Sequence, residues 1–286
     1  MAKIKNYLSF VKFAHSVFAM PFALFGYFLA LKINDLSFDW KLLLYVVLAM
    51  VFARNAAMGF NRYIDRNIDK DNPRTKNREL PAGVIKARSA LAFVIINSLL
   101  FVAVTYFINP LAFSLSPVAL AVVLGYSYTK RFTALCHLIL GLGLSLSPIG
   151  AYIAVTGSFN SIIPVLVSLS VLLWTAGFDI IYSLQDDEFD RDKNLHSIPG
   201  RLGRKKALQL SRLLHVISAL LLLLPAFLMN ISILYLSAVF VFVAFLVKQH
   251  RLVKVDDLSK VNLAFFTMNG IASVIFGTLA IWSLYI

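Results

Sequence analysis

The chain has 286 residues, of which 59% are hydrophobic and only 14% charged, with a mean hydropathy of +0.79 and a formal net charge of +13. A soluble globular domain carries about 25% charged residues, so this composition excludes that class and indicates an all-α membrane protein. The single cysteine, Cys136, excludes an intramolecular disulfide.

In chain order, Lys3, Lys5 and Lys12 precede an apolar stretch in the manner of a signal peptide. The stretch outruns a typical signal core and lacks a small-residue cleavage site, which predicts a retained first helix. Apolar runs near 11–31, 41–64, 89–108, 111–128, 133–156, 161–184, 206–229, 231–248 and 262–285 are each about long enough to cross a bilayer as a helix. Nine spans are therefore expected. Pro110, Gly157 and Pro164 mark short turns between them, and the seventh and eighth spans divide around Met229-Asn230. Except for Lys32, Lys41 and Arg54, every Lys and Arg lies before or at the first span, or in 62–88, 130–131, 191–212 and 248–260. Those segments fall on alternate loops, so the positive-inside rule predicts a cytoplasmic N-terminus, an outside C-terminus and an odd number of spans. The positive charge is thus mainly topological, with attraction to anionic lipid or substrate second. Basic residues in short membrane-adjacent loops do not make a nucleic-acid-binding surface.

Acid is distributed just as unevenly. Apart from Asp35, Asp39, Asp256 and Asp257, every Asp and Glu falls in 65–79 or 179–192, at the cytoplasmic ends of predicted spans and the loops that follow. Two stretches stand out. Asn61-Arg-Tyr-Ile-Asp65-Arg-Asn-Ile-Asp69 and Asp179-Ile-Ile-Tyr182-Ser-Leu-Gln-Asp186-Asp-Glu-Phe-Asp190 each hold two carboxylates four residues apart. On a helix that spacing places both on one face. One such loop reads equally well as a solvated loop of mixed charge. Two with the same spacing on one side of a membrane point to function.

Leu80-Pro-Ala-Gly83 and Ala87-Arg-Ser-Ala-Leu91 follow the first stretch, and Ile198-Pro-Gly200 and Arg204-Lys-Lys-Ala-Leu208 follow the second. These offsets predict one membrane domain over 1–286 made of two related halves, about 1–130 and 131–286, whose acidic exits face each other across a central cavity. Clustered carboxylate and amide oxygens favour hard cations. Mg²⁺ in particular is usually held by one or two carboxylates together with substrate phosphates. Lys130 and Arg131, in the loop between, would complete a clamp on a phosphorylated group. The five histidines show no ligand spacing, and no Gly-rich phosphate loop or nucleophile motif occurs. A metal-diphosphate site opening into an apolar interior, with a lipid diphosphate as occupant, is the most economical reading.

At this point the sequence resembles the UbiA superfamily of intramembrane prenyltransferases. The family motif NxxxDxxxD is matched by Asn61, Asp65 and Asp69, and DxxYxxxDxxxD by Asp179, Tyr182, Asp186 and Asp190. The YxxxK element is matched by Tyr126 to Lys130, followed by Arg131, and Arg74-Thr-Lys-Asn-Arg78 with Leu80-Pro81 is also similar. The resemblance covers essentially the whole chain. It implies a nine-helix fold around a central cavity, with Mg²⁺-bridged diphosphate binding by Asn61, Asp65, Asp69, Asp186 and Asp190. It makes Lys130, Arg131, Arg74 and Arg78 diphosphate partners. The implied reaction is alkylation of an aromatic ring by an allylic cation drawn from a polyprenyl diphosphate, in quinone synthesis, on the cytoplasmic side of the inner membrane if the chain is bacterial. Tyr126 and Tyr182 belong to the substrate-binding set.

Three residues bear on the acceptor. Arg54 lies seven residues before Asn61, on the same helix face and deeper in the membrane. It is either a partner to an acidic side chain or an anchor for the acceptor's carboxylate, the latter matching family members that use hydroxybenzoate. Asp179 reads as a proton acceptor or as a group that orients a cation. His15, in the first span, departs from the Arg-containing pattern of many relatives and is similar to the branch that prenylates a naphthoate on the futalosine route to menaquinone, although a lone helix His is more often structural. The expected acceptor is 4-hydroxybenzoate or a dihydroxynaphthoate. The alternatives are haem, a chlorin or glycerol phosphate as acceptor or, in another class, a cation-coupled transporter. Against the transporter, the acids sit at span exits rather than at the membrane midplane. The DGxxAR element of CDP-alcohol phosphotransferases is absent.

Overall fold

The computed structural model describes residues 2–12, 18–229 and 232–286, and no strand forms among them. The helices are α1 (Ala2–Phe10), α2 (Met20–Ile33), α3 (Trp40–Asp71), α4 (Ala87–Ile108), α5 (Pro110–Thr129), α6 (Cys136–Thr156) and α7 (Ile163–Ser183). A 3₁₀ turn (Leu184–Asp186) leads into the short α8 (Asp187–Asp192) and α9 (Ile198–Leu202). Then come α10 (Arg204–Leu228), α11 (Ile233–Leu252), a π-helical segment (Leu263–Met268) and α12 (Asn269–Ser283). Among the described residues, eight helical segments are long and apolar enough to cross a membrane. The shorter apolar α2 lies where the first span is expected, and residues 13–17 of that span, His15 among them, fall outside the described residues. The expected break between the seventh and eighth spans is present, with α10 ending at Leu228 and α11 starting at Ile233.

Local chemistry accounts for most of the boundaries. Asp39 caps α3 by accepting from the backbone N–H groups of Lys41 (2.8 Å) and Leu42 (3.3 Å). Asn109 caps α5 by accepting from Ala112 (2.8 Å), and its amide donates to the carbonyls of Ile153 and Ala154, tying the start of α5 to the end of α6. Proline occupies the first turn of α2, α5, α7 and α9, where its missing N–H costs nothing. One boundary beside the acidic stretches differs from expectation. Helix α3 continues seven residues past the predicted end at 64, which places both Asp65 and Asp69 on regular helix. Helix α7 stops at Ser183, so the second acidic stretch runs through a helix end, a 3₁₀ turn and a new short helix.

Packing divides the bundle into a filled side and a hollow side. On the filled side, Phe18, Phe22, Phe25, Trp174, Phe178, Phe242 and Phe276 interlock between α2, α7, α11 and α12. Helix α7 sits deepest, and its neighbours approach closely through glycine. A Cβ on Gly141 would lie 2.3 Å from the Leu172 carbonyl oxygen, and one on Gly177 would lie 2.4 Å from the His215 ring. Small residues at such crossings are what permit close helix contact where lipid removes the hydrophobic drive between helices. On the other side, α3, α5 and α6 surround a cavity of about 390 Å³.

Candidate active site

The cavity wall is almost wholly apolar. Ala49, Ala53 and Ala57 recur at one-turn spacing along α3 and face Gly143, Ser147 and Gly150 on α6. The slot exists because these side chains are small. It extends toward Ile108 and Phe159, at the loops on the rim away from the acidic stretches, and toward Arg54 and Tyr126 at the other end. Arg54 lies about 10 Å deeper along α3 than Asn61, at 1.5 Å rise per residue. Among the described residues it has no salt bridge, and its buried Nε has no hydrogen-bond partner. No acidic side chain among the described residues lies within salt-bridge distance of it.

Above Arg54 the polar mouth is assembled from both acidic stretches. Asp65 is buried on α3, where Lys130 Nζ (3.2 Å) and Arg131 Nη2 (2.8 Å) meet its carboxylate from the end of α5. Asn61 donates to Asp65 Oδ2 at 3.3 Å. One turn on, Asp69 receives Arg78 Nη1 at 2.8 Å on both oxygens, with Arg62 4.0 Å away. Arg131 also donates to the Ile64 and Ser127 carbonyls, which fixes α5 against α3.

The cross-link between the two stretches comes from the loop after α3. Asn72 donates to Asp186 Oδ1 at 2.9 Å, and Arg74 binds Asp186 through Nε (2.9 Å) and through a short contact from Nη2. Arg74 Nη1 donates to the Tyr182 hydroxyl at 2.9 Å, with the guanidinium also over the Tyr182 ring. Burial opposes the Arg74 charge, but its bonds to Asp186 and its contacts with Tyr182 outweigh that and hold its pKa above the ordinary guanidinium value. Lys193 and Asp71, 2.7 Å apart on the rim, join the same two loops.

The structure therefore gathers Asn61, Asp65, Asp69, Arg74, Arg78, Lys130, Arg131, Tyr182 and Asp186 into one mouth. Asp190 is buried on α8, near Ser197 and within electrostatic range of Asp186 and Lys130. The 3₁₀ turn at 184–186 ends at Asp186, and the residues from there to Asp190 lie on the regular turn of α8. Tyr126 lines the cavity, with Arg54, Asp65 and Asp179 within electrostatic range of its hydroxyl. Asp179 is bound to His137.

Sequence reasoning passed over Asn72, Arg62, Asp187 and His137. Asn72 sits three residues after Asp69, at helical spacing, and that signal was available. Asp187 is buried against Arg204 (2.8 and 2.9 Å) and anchors α8 to α10 rather than facing the mouth. Nothing local marks His137, whose partners lie 42 and 61 residues away.

Oxygen donors on both sides of a mouth suit a hard cation. Among the described residues no three Asp, Glu, His or Cys groups converge to hold an ion unaided, and this fits an ion whose remaining ligands are phosphate oxygens.

Comparison with known proteins agrees with the fold. The model of the UbiA prenyltransferase family matches residues 19–271. A 4-hydroxybenzoate octaprenyltransferase of Aeromonas hydrophila subsp. hydrophila is 31% identical over 242 residues, covering 85% of this chain and 83% of the relative. The apo structure of a UbiA homolog from Aeropyrum pernix K1 superposes with a TM-score of 0.84 at 31% identity, covering 93% of this chain and 96% of that one. A UbiA homolog from Archaeoglobus fulgidus bound to GPP and Mg²⁺ shares the fold, with a TM-score of 0.75 at 19% identity over 98% of this chain and all of that one. The motifs on α3 and α7, the helical bundle that carries them and these matches converge: the chain belongs to the UbiA prenyltransferase family.

Proposed function

We propose that this protein transfers a polyprenyl group from a polyprenyl diphosphate to the ring of a small aromatic acid, with 4-hydroxybenzoate the first acceptor to test and a dihydroxynaphthoate the second. The observation that carries this reading is Arg54, a cation without an acidic partner among the described residues, in an apolar cavity just below a mouth of paired acids and bases. A buried cation without a counter-charge is costly in a membrane, and an acceptor carboxylate would supply one. The names of the curated relatives favour 4-hydroxybenzoate.

Asn61, Asp65, Asp69, Asp186 and Asp190 supply the oxygen donors for Mg²⁺, which when bound contributes positive charge to the leaving diphosphate. Arg74, Arg78, Lys130 and Arg131 each already stand beside one of the carboxylates of this mouth. They would close on the diphosphate oxygens and stabilise the charge that develops there. As the C–O bond breaks, its electron pair leaves with the diphosphate, and the allylic cation remains in a cavity whose alanine and glycine walls keep water away. The prenyl chain lies along the slot toward Ile108 and Phe159. Tyr182 presents a ring near the cation and is held by Arg74 and by packing on Phe265, 4.1 Å between centroids.

We read the protein as a nine-span inner-membrane enzyme with a cytoplasmic N-terminus and mouth, a topology supported by the Lys and Arg distribution. The two-halves reading is supported by packing, since α3 lies on α4 and α7 on α10, the corresponding pair.

The test is purified protein with geranyl diphosphate, Mg²⁺ and a panel of 4-hydroxybenzoate, 1,4-dihydroxy-2-naphthoate and 1,4-dihydroxy-6-naphthoate, with products read by mass. A C-prenylated acid is expected. Mg²⁺-dependent diphosphate binding without any prenylated acid would move the acceptor to another class.

A further inference from the structure

One acid of the second motif takes no part in the mouth. Asp179 lies on α7, a turn deeper than Tyr182, and none of the basic side chains of the mouth reaches it. Its partner is His137 on α6, with Nδ1 2.7 Å from Asp179 Oδ2. The other ring nitrogen, Nε2, faces the backbone N–H of Ile198 at 3.2 Å. A backbone N–H can only donate, so Nε2 carries no proton and Nδ1 must carry it. The histidine is therefore clamped between the start of α9 and the carboxylate, with its Nδ1–H directed at Asp179. His137 is 2% exposed, whereas the Asp179 side chain keeps 22%. No described residue hydrogen-bonds to Asp179 Oδ1, and Asp179 acts electrostatically on Tyr126, which lines the cavity.

Alkylation of the ring leaves a carbon bearing both the new prenyl group and its original hydrogen. That protonated ring is a strong acid, so an ordinary carboxylate is basic enough to receive the proton, and what it needs is reach and a fixed orientation. We propose that Asp179 is the base that takes this proton on Oδ1, and that His137 is the positioning residue that aims it. The step balances. The ring π electrons form the C–C bond to the allylic cation, the C–H bond pair restores the aromatic sextet, and the proton passes to the Asp179 carboxylate. The proposal rests on the aromatic-acid reading above.

The experiment uses the full-length protein in detergent with geranyl diphosphate, Mg²⁺ and the acceptor that the wild type prenylates, in protonated and ring-deuterated forms. Asp179→Asn should lower kcat on the order of 10²- to 10³-fold and develop a primary isotope effect absent from the wild type, because proton removal becomes rate-limiting. His137→Phe, which fills the space without a donor, should lower kcat, develop the same isotope effect and leave the KM for geranyl diphosphate unchanged. His137→Asn, which keeps a donor near Nδ1, should recover most of the rate. The double variant Asp179→Asn/His137→Phe should be no slower than Asp179→Asn alone, since His137 acts through Asp179. Multiplying losses without an isotope effect would overturn the assignment while leaving the prenyl-transfer reading standing. Failure of the wild type to prenylate any of the acids would overturn both.

Discussion

The two acidic stretches share a four-residue spacing yet fold differently, and the difference shows what each is built to do. The first rides on α3, an uninterrupted helix of 32 residues, so Asn61, Asp65 and Asp69 keep their phase and line one face. The second begins on α7 and passes through the 3₁₀ turn at Leu184–Asp186, where Leu184 plugs fully buried into a second apolar cluster with Ile180, Ile181 and Ile198. Around that turn the neighbouring acids take different partners, Asp186 meeting Arg74 and Asp187 meeting Arg204, while Asp190 stays buried within electrostatic range of Asp186. One stretch is a rigid rail. The other is a corner whose acids are distributed between the mouth and the scaffold. The first motif therefore presents a fixed pair of carboxylates, while the second contributes Asp186, with Asp190 in electrostatic range of it, and holds the loops beyond through Asp187.

The comparison can be broken most severely at the rail. Asp65→Ala removes the carboxylate that receives both Lys130 and Arg131 and should lower kcat/KM on the order of 10³-fold, about 4 kcal/mol, with the protein still folded in detergent. Near-normal turnover with Mg²⁺ would contradict the metal-diphosphate role. Next comes the tie between rail and corner. Arg74→Ala leaves Asp186 with Asn72 alone and should cost about 10²-fold, near 3 kcal/mol, seen as weaker Mg²⁺-dependent binding of geranyl diphosphate. A loss confined to the acceptor would separate Arg74 from the diphosphate.

Within the corner, the scaffold acid should behave differently from its neighbour. Arg204→Ala leaves the buried Asp187 carboxylate with only the longer Arg191 contact at 3.8 Å and should lower unfolding free energy by about 2 kcal/mol, measured as earlier thermal unfolding in detergent, with kcat unchanged. A kcat loss without destabilisation would place Asp187 in the mouth after all. The smallest effect is expected below the rail. Arg54→Ala should raise the KM for the aromatic acid about tenfold, near 1.4 kcal/mol, and leave the KM for the prenyl diphosphate in place. Equal effects on both substrates would return Arg54 to a structural role.

Much of this arrangement was legible in advance, because it depends on local chemistry. Hydropathy placed the long helices, since a helix must satisfy its own backbone in lipid and shows this as runs of about 20 apolar residues. Spacing was enough to set Asn61, Asp65 and Asp69 on one face, since nothing interrupts α3 there. The same arithmetic gives no sign of the 3₁₀ turn that ends at Asp186. Helical phase persists only while the helix does, and the burial of Leu184 and the Asp187–Arg204 pair hold a turn that no local pattern announces.

What the sequence determined by itself is thus the membrane class, the long helices and the residue types of an acid-and-base mouth, all encoded within a few turns of chain. The partners were decided by tertiary structure: Arg74 on Asp186 across 112 residues, Arg131 on Asp65 across 66, and His137 on Asp179 across 42. Arg54, without an acidic partner among the described residues, and the slot beside it belong to the same category. A charge in a helical bundle meets whichever charge the packing of neighbouring helices carries to it. Here that packing is set in part by close approaches at residues such as Gly141 and Gly177, which draw α6 and α10 onto α7.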